Sequence, residues 1–160
     1  MKRHLLTLFL AITVTATFAQ NQIGKAKFQL NGGVGLSSWG FPIYGGIDCN
    51  LVKNISFGAE ISYRQKVKKS DEFYIVKGLS ANGNYHFGKI LGLPQTVDIY
   101  GGVNLGFFQW NKGILTSDKW NTGVQIGARY FFKNNLAINM EAGTGNAFSL
   151  GKLGLTCILQ

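Results

Sequence analysis

Apolar and polar side chains alternate along residues 55–66, which read ISFGAEISYRQK. Ile55, Phe57, Ala59, Ile61, Tyr63 and Gln65 share one parity; Ser56, Gly58, Glu60, Ser62, Arg64 and Lys66 share the other. Successive side chains of a strand point to opposite faces, so the pattern predicts a β-strand with one apolar and one polar face. The segment outruns the usual strand of about five or six residues and suits a tilted membrane crossing of about 9–11. The apolar parity is expected to face lipid, and the Glu60/Arg64 parity an enclosed interior.

The same alternation recurs along the chain. It predicts strands over 25–36, 41–51, 55–66, 73–87, 96–110, 120–132, 136–143 and 147–159. Outward positions include Phe28, Leu30, Val34, Ile43, Ile47, Leu79, Val103, Val124, Ile126, Ile138, Leu153 and Leu155. Inward positions include Gln29, Asn31, Tyr44, Asp48, Asn84, Tyr100, Asn104, Gln125 and Asn139. Pro42 falls at a strand start, where a missing N–H is tolerated. Lys77 breaks the rule by falling on the apolar parity; near a strand end it can snorkel, whereas at mid-membrane it would cost about 2–4 kcal/mol.

Tight turns at 52–54 and 133–135 and a longer one at 88–95 fall on one side, the expected periplasmic side, with both termini. The connections 37–40, 66–72, 111–119 and 144–146 then lie outside. Tyr63, Phe73, Tyr85, Phe87, Phe107, Trp110, Trp120, Tyr130 and Phe132 gather near strand ends, as interfacial girdles do. Closure into a barrel follows, because no backbone donor or open edge can face hydrocarbon.

Composition sharpens this. Charged residues are 14% of the chain, against about 25% in ordinary soluble domains. Glycine is frequent, at 22 residues, which suits a closely packed polar lumen better than a water-facing surface. Residues 1–19 read as a signal peptide: a basic start at Lys2-Arg3-His4, an apolar run, and Thr17-Phe18-Ala19 before the polar Gln20-Asn21-Gln22. Cleavage after Ala19 would leave residues 20–160 as the barrel domain. The formal charge of +9 falls by two with Lys2 and Arg3. Export argues against nucleic acid as the partner of this basic balance and favours anionic surface polymers or lipopolysaccharide.

With this alternation in place, the mature chain resembles the small eight-stranded outer-membrane barrels: the OmpX-like proteins, the OmpA transmembrane domain and the porin-family β-barrel domain of Gram-negative bacteria. The resemblance implies an all-β fold, an eight-stranded antiparallel up-and-down transmembrane β-barrel. It implies folding by the outer-membrane assembly machinery, a narrow or closed lumen, and a structural or surface-interaction role. The chain departs from the family by ending Cys157-Ile158-Leu159-Gln160 instead of on an aromatic residue. A peptidoglycan-binding domain after the last strand is not expected.

The lumen parity carries Asp48, Glu60, Arg64, Asp98, Arg129, Glu141 and Lys152, with Lys27 and His86 as further candidates. Buried charges need partners, and a barrel of this size encloses room for side chains only. An ion-pair network plugging the interior is therefore expected ahead of a pore. His86 is followed by Phe87-Gly88 and has no serine nearby in sequence, so no enzyme is expected. Neither a phosphate loop nor a metal-ligand spacing stands out, and no cofactor is expected. Cys49 and Cys157 fall on strands flanking the first one, about two spacings of ~4.8 Å apart, beyond disulfide reach. Lys66, Lys68 and Lys69 form a basic outer loop that can meet lipopolysaccharide phosphates. A monomer is expected. A narrow passive channel, a lipid A–modifying enzyme and a soluble lipocalin-type barrel with a polar exterior are the competing functions.

Overall fold

A computed structural model describes residues 28–37, 41–67, 73–110, 119–144 and 151–159. The signal-peptide segment, Lys27, Lys68, Lys69 and most of the outer connections lie outside these residues, as does the Lys66 side chain. Among the described residues eight strands run in order: β1 (Phe28–Leu36), β2 (Ile43–Val52), β3 (Ile55–Val67), β4 (Phe73–His86), β5 (Val97–Trp110), β6 (Lys119–Lys133), β7 (Leu136–Gly143) and β8 (Gly151–Leu159). Each pairs antiparallel with its neighbours, and β8 returns to β1, from Phe28 against Leu159 to Leu36 against Gly151. The sheet is closed, so no edge is left to satisfy in hydrocarbon.

Both tight turns are prepared by a register shift in the preceding strand, at Asn50/Val52 and at Phe131/Lys133. A bulge adds twist just where the strand must reverse. Asn54 completes the first turn at φ 67°, a left-handed conformation that asparagine tolerates better than other side chains. The connection between β4 and β5 winds into a helical turn instead, with Leu91 N–H donating to the Phe87 carbonyl at 3.0 Å.

The distribution of side chains is inside-out. Among the described residues, six apolar side chains, Pro42 included, are buried against twelve polar or charged ones, the reverse of a soluble domain. Outside, Ile61 (65% exposed), Val103 (62%), Val124 (63%) and Ile126 (62%) ring the waist. Inside, Tyr100 keeps 1% and Thr156 none of their surface. This arrangement excludes the lipocalin-type alternative, which needs an apolar pocket and a polar exterior. Cys49 and Cys157 are free thiols, paired in register with Phe28 and Leu30 of the intervening β1.

Candidate functional site in the polar lumen

The register stacks the inward side chains into two charged layers. The first lies toward the tight turns. Asp98 and Arg129 are direct cross-strand partners on β5 and β6, and Arg129 Nη1 approaches Asp98 Oδ2 at 3.5 Å. The guanidinium also crosses the lumen: Nη2 donates to Asp48 Oδ2 on β2 at 2.9 Å, and Nη1 to Gln29 Oε1 on β1 at 2.8 Å. A planar fork suits such divergent acceptors. Tyr100 lies beneath it, its ring centroid 4.5 Å from the guanidinium carbon.

His86 extends this layer. Its Nδ1 lies 2.9 Å from Asp98 Oδ2, and its Nε2 lies 2.9 Å from Ser56 Oγ. With Nδ1 protonated, the imidazole donates to Asp98 and accepts from the Ser56 hydroxyl, the order found in serine hydrolases. No serine lies near His86 along the chain, but the neighbouring strand β3 supplies one in space. Ser56 has no exposed surface, however, so a substrate carbonyl has no approach to its oxygen. The trio orients the imidazole and satisfies buried groups.

The second layer lies toward the long connections. Glu141 and Lys152 are cross-strand partners on β7 and β8, with Lys152 Nζ 3.0 Å from Glu141 Oε1. The same ammonium crosses the lumen to Glu60 Oε2 on β3 at 2.5 Å and sits 4.8 Å from the Tyr44 ring centroid. Tyr100 Oη donates to Glu141 Oε2 at 2.9 Å, so one tyrosine joins the two layers. A neutral chain joins them again: Tyr44 Oη donates to Asn139, Asn139 to Thr156, Thr156 to Asn31, and Asn31 to Asp48.

Glycine makes room for this packing. Gly127 faces Tyr100 across the β5–β6 ladder, and a Cβ there would strike the phenol ring. At Gly58 a Cβ would collide with the Asp48 carboxylate. Between the layers, Asp48, Glu60, Tyr100, Arg129, Glu141 and Lys152 surround a cavity of about 10 Å³. That is about the space one water needs.

Six of the seven charged residues expected from parity thus fall in two layers. Arg64 lies nearer the connections, its Nη1 donating to Ser37 Oγ at 2.6 Å. Gln29, Ser56 and Tyr100 were legible as inward positions, but nothing in their types marked them as partners of charges. Outside the membrane-spanning strands, a hydrogen bond with Lys53 and the repulsion of its charge lower the pKa of Lys89. Among the described residues, no His/Cys/Asp/Glu group is arranged to hold a metal ion.

No family model matches the chain. A B3 domain-containing protein of Arabidopsis thaliana is 30% identical over 99 residues, 61% of this chain and 58% of that relative. The chain therefore spans less than two thirds of that relative's length, and the likeness assigns no family. Solved structures give a clearer result. The de novo designed barrel TMB2.3 matches with a TM-score of 0.61 at 18% identity, covering 87% of this chain and 98% of the design. The outer membrane protein Ail of Yersinia pestis, solved in a phospholipid bilayer nanodisc, matches with a TM-score of 0.54 at 10% identity, over 84% of this chain and 99% of Ail. Neisserial surface protein A matches with a TM-score of 0.52 at 16% identity, over 84% and 94%. The shared property is the fold, a transmembrane β-barrel. Because one similar chain is a design, the architecture alone implies no particular activity.

Proposed function

We propose that this chain is a small outer-membrane β-barrel protein with a structural or surface-interaction role, its lumen plugged by the two ion-pair layers. The observation that carries this is the lumen itself. Arg129 and Lys152 each span it, and the space left between the layers is about 10 Å³. A hydrated ion needs a continuous wet path, so the geometry supports a plug over a channel. The burial of Ser56 supports a non-enzymatic role, because the hydroxyl hydrogen-bonded to His86 is out of reach. The likeness to Ail and Neisserial surface protein A supports placement in the outer membrane. On this reading residues 1–19 are the export signal, cleaved after about Ala19. The assembly machinery of that membrane folds the chain, and Lys66, Lys68 and Lys69 meet lipopolysaccharide as the barrel stands as a monomer.

Fractionation with gel mobility before and after boiling, followed by conductance in planar bilayers, tests this. The expected result is a membrane-fraction protein whose mobility changes on boiling and which passes no steady current. Steady single-channel conductance would replace the plug with a narrow passive channel. A change in lipid A mass on overexpression would point to a modifying enzyme.

A further inference from the structure

The lipid-facing wall is not uniform. On the outside of β2, β3 and β4 lies a groove of about 540 Å³, within the range of about 300–1,000 Å³ typical of small-molecule sites. Its upper row is set by register. Ile43 pairs with Tyr63, Tyr63 with Lys77, and Lys77 with Gln109, all on the outward parity. The next row toward the waist is Gly45, Ile61 and Leu79.

Gly45 is the reason a trough exists. A Cβ there would meet nothing nearer than 4.0 Å. The outward glycines Gly83 and Gly101 differ, because the rings of Phe57 and Phe87 already lie 3.4 Å and 3.3 Å from such an atom. The partner of Gly45 on β1 is Gly32, which deepens the dent. Lys77 stands at the head of the trough, exposed, close to the start of β4. Among the described residues no carboxylate lies within ion-pair distance of it; Asp48, Glu60, Asp98 and Glu141 all point into the lumen. Near the strand end this exposed ammonium can meet the anionic head groups that the bilayer supplies.

We propose that this groove seats one anionic lipid through its phosphate. The Lys77 ammonium carries the phosphate, with the Tyr63 hydroxyl and the Gln109 amide as donors in the same row. One acyl chain descends along Gly45 between Ile43 and Ile61. The orientation is that of a leaflet, with head toward the strand ends and tail toward the waist. The site rests on the membrane-embedded reading above and adds to it a defined lipid position on the barrel wall.

The test uses the full mature barrel refolded in detergent with equal amounts of phosphatidylglycerol and phosphatidylcholine of the same chains, read by native mass spectrometry. The wild-type barrel is expected to retain phosphatidylglycerol about fivefold over phosphatidylcholine, the scale of one Lys charge near an anionic surface. Lys77→Gln removes that preference. Gly45→Leu, which fills the trough from the lipid side, lowers retention of both lipids, while Lys89→Gln at the other rim changes neither. Equal retention in the wild type, or an unchanged ratio in Lys77→Gln, overturns the site while the boiling-dependent mobility still reports a folded barrel. Loss of that mobility in the wild type overturns the membrane reading and the groove together.

Discussion

The two charged layers of the lumen solve one problem with different chemistry. Each has a cation with a carboxylate beside it across a strand pair, Asp98 for Arg129 and Glu141 for Lys152. Each cation also reaches a carboxylate on the opposite wall, Asp48 for Arg129 and Glu60 for Lys152. The cross-strand partners are placed by register alone. The cross-lumen partners tie β2 and β3 to β6 and β8, so they hold the cylinder closed instead of merely lining it. The layers differ in how the charge is shared. The guanidinium of Arg129 spreads over Asp48, Asp98 and Gln29 and stacks on Tyr100, whereas the ammonium of Lys152 holds two glutamates as a point charge. A planar fork can serve several divergent acceptors at once, whereas an ammonium acts as a compact point charge.

That comparison can be broken first by removing the cations. Arg129→Met leaves Asp48 and Asp98 without their shared guanidinium, and Lys152→Met leaves Glu60 and Glu141 without the ammonium. Each is expected to cost about 3–5 kcal/mol in urea unfolding from lipid vesicles, because the remaining charges are buried. Restoring neutrality with Glu60→Gln and Glu141→Gln in the Lys152→Met background should recover most of that loss. A Lys152→Met barrel as stable as wild type would show that the layer does not hold the wall.

A smaller effect separates the two kinds of tie. Double-mutant cycles should give Arg129 a coupling of about 1–3 kcal/mol with Asp48 and under about 1 kcal/mol with Asp98. The Arg129–Asp48 pair is shorter, at 2.9 Å, with side chains only 2% and 6% exposed, against 3.5 Å and a 20% exposed Asp98. Equal couplings would mean that register neighbours and cross-lumen partners contribute alike. The smallest effect is at the edge of the first layer. Ser56→Ala removes one hydrogen bond to His86 and should cost about 1 kcal/mol with no change in export or mobility shift, as expected of a supporting group.

The sequence carried the strands almost to the residue. Residues 55–66 became Ile55–Val67 and 136–143 became Leu136–Gly143, while the last strand, expected over 147–159, is described from Gly151. Alternation is a local property that each segment states without its neighbours. The same parity put Asp48, Glu60, Asp98, Arg129, Glu141 and Lys152 on the inside. It could not say that Ser56 would face His86, since that pairing needs the β3–β4 register, in which Ile55 opposes Tyr85. Nor could it separate Arg64, which bonds Ser37 near the rim, from the layers below.

By itself, then, the order of residues determined which face of each strand is greasy, where the chain turns and which charges must be enclosed. It left partner choice open, because Arg129 and Asp48 stand 81 positions apart and Lys152 and Glu60 stand 92 apart. Only closing the sheet brings those walls within hydrogen-bond reach. The trough at Gly45 and Lys77 was decided the same way, because a gap in a surface depends on what the neighbouring strands fail to fill.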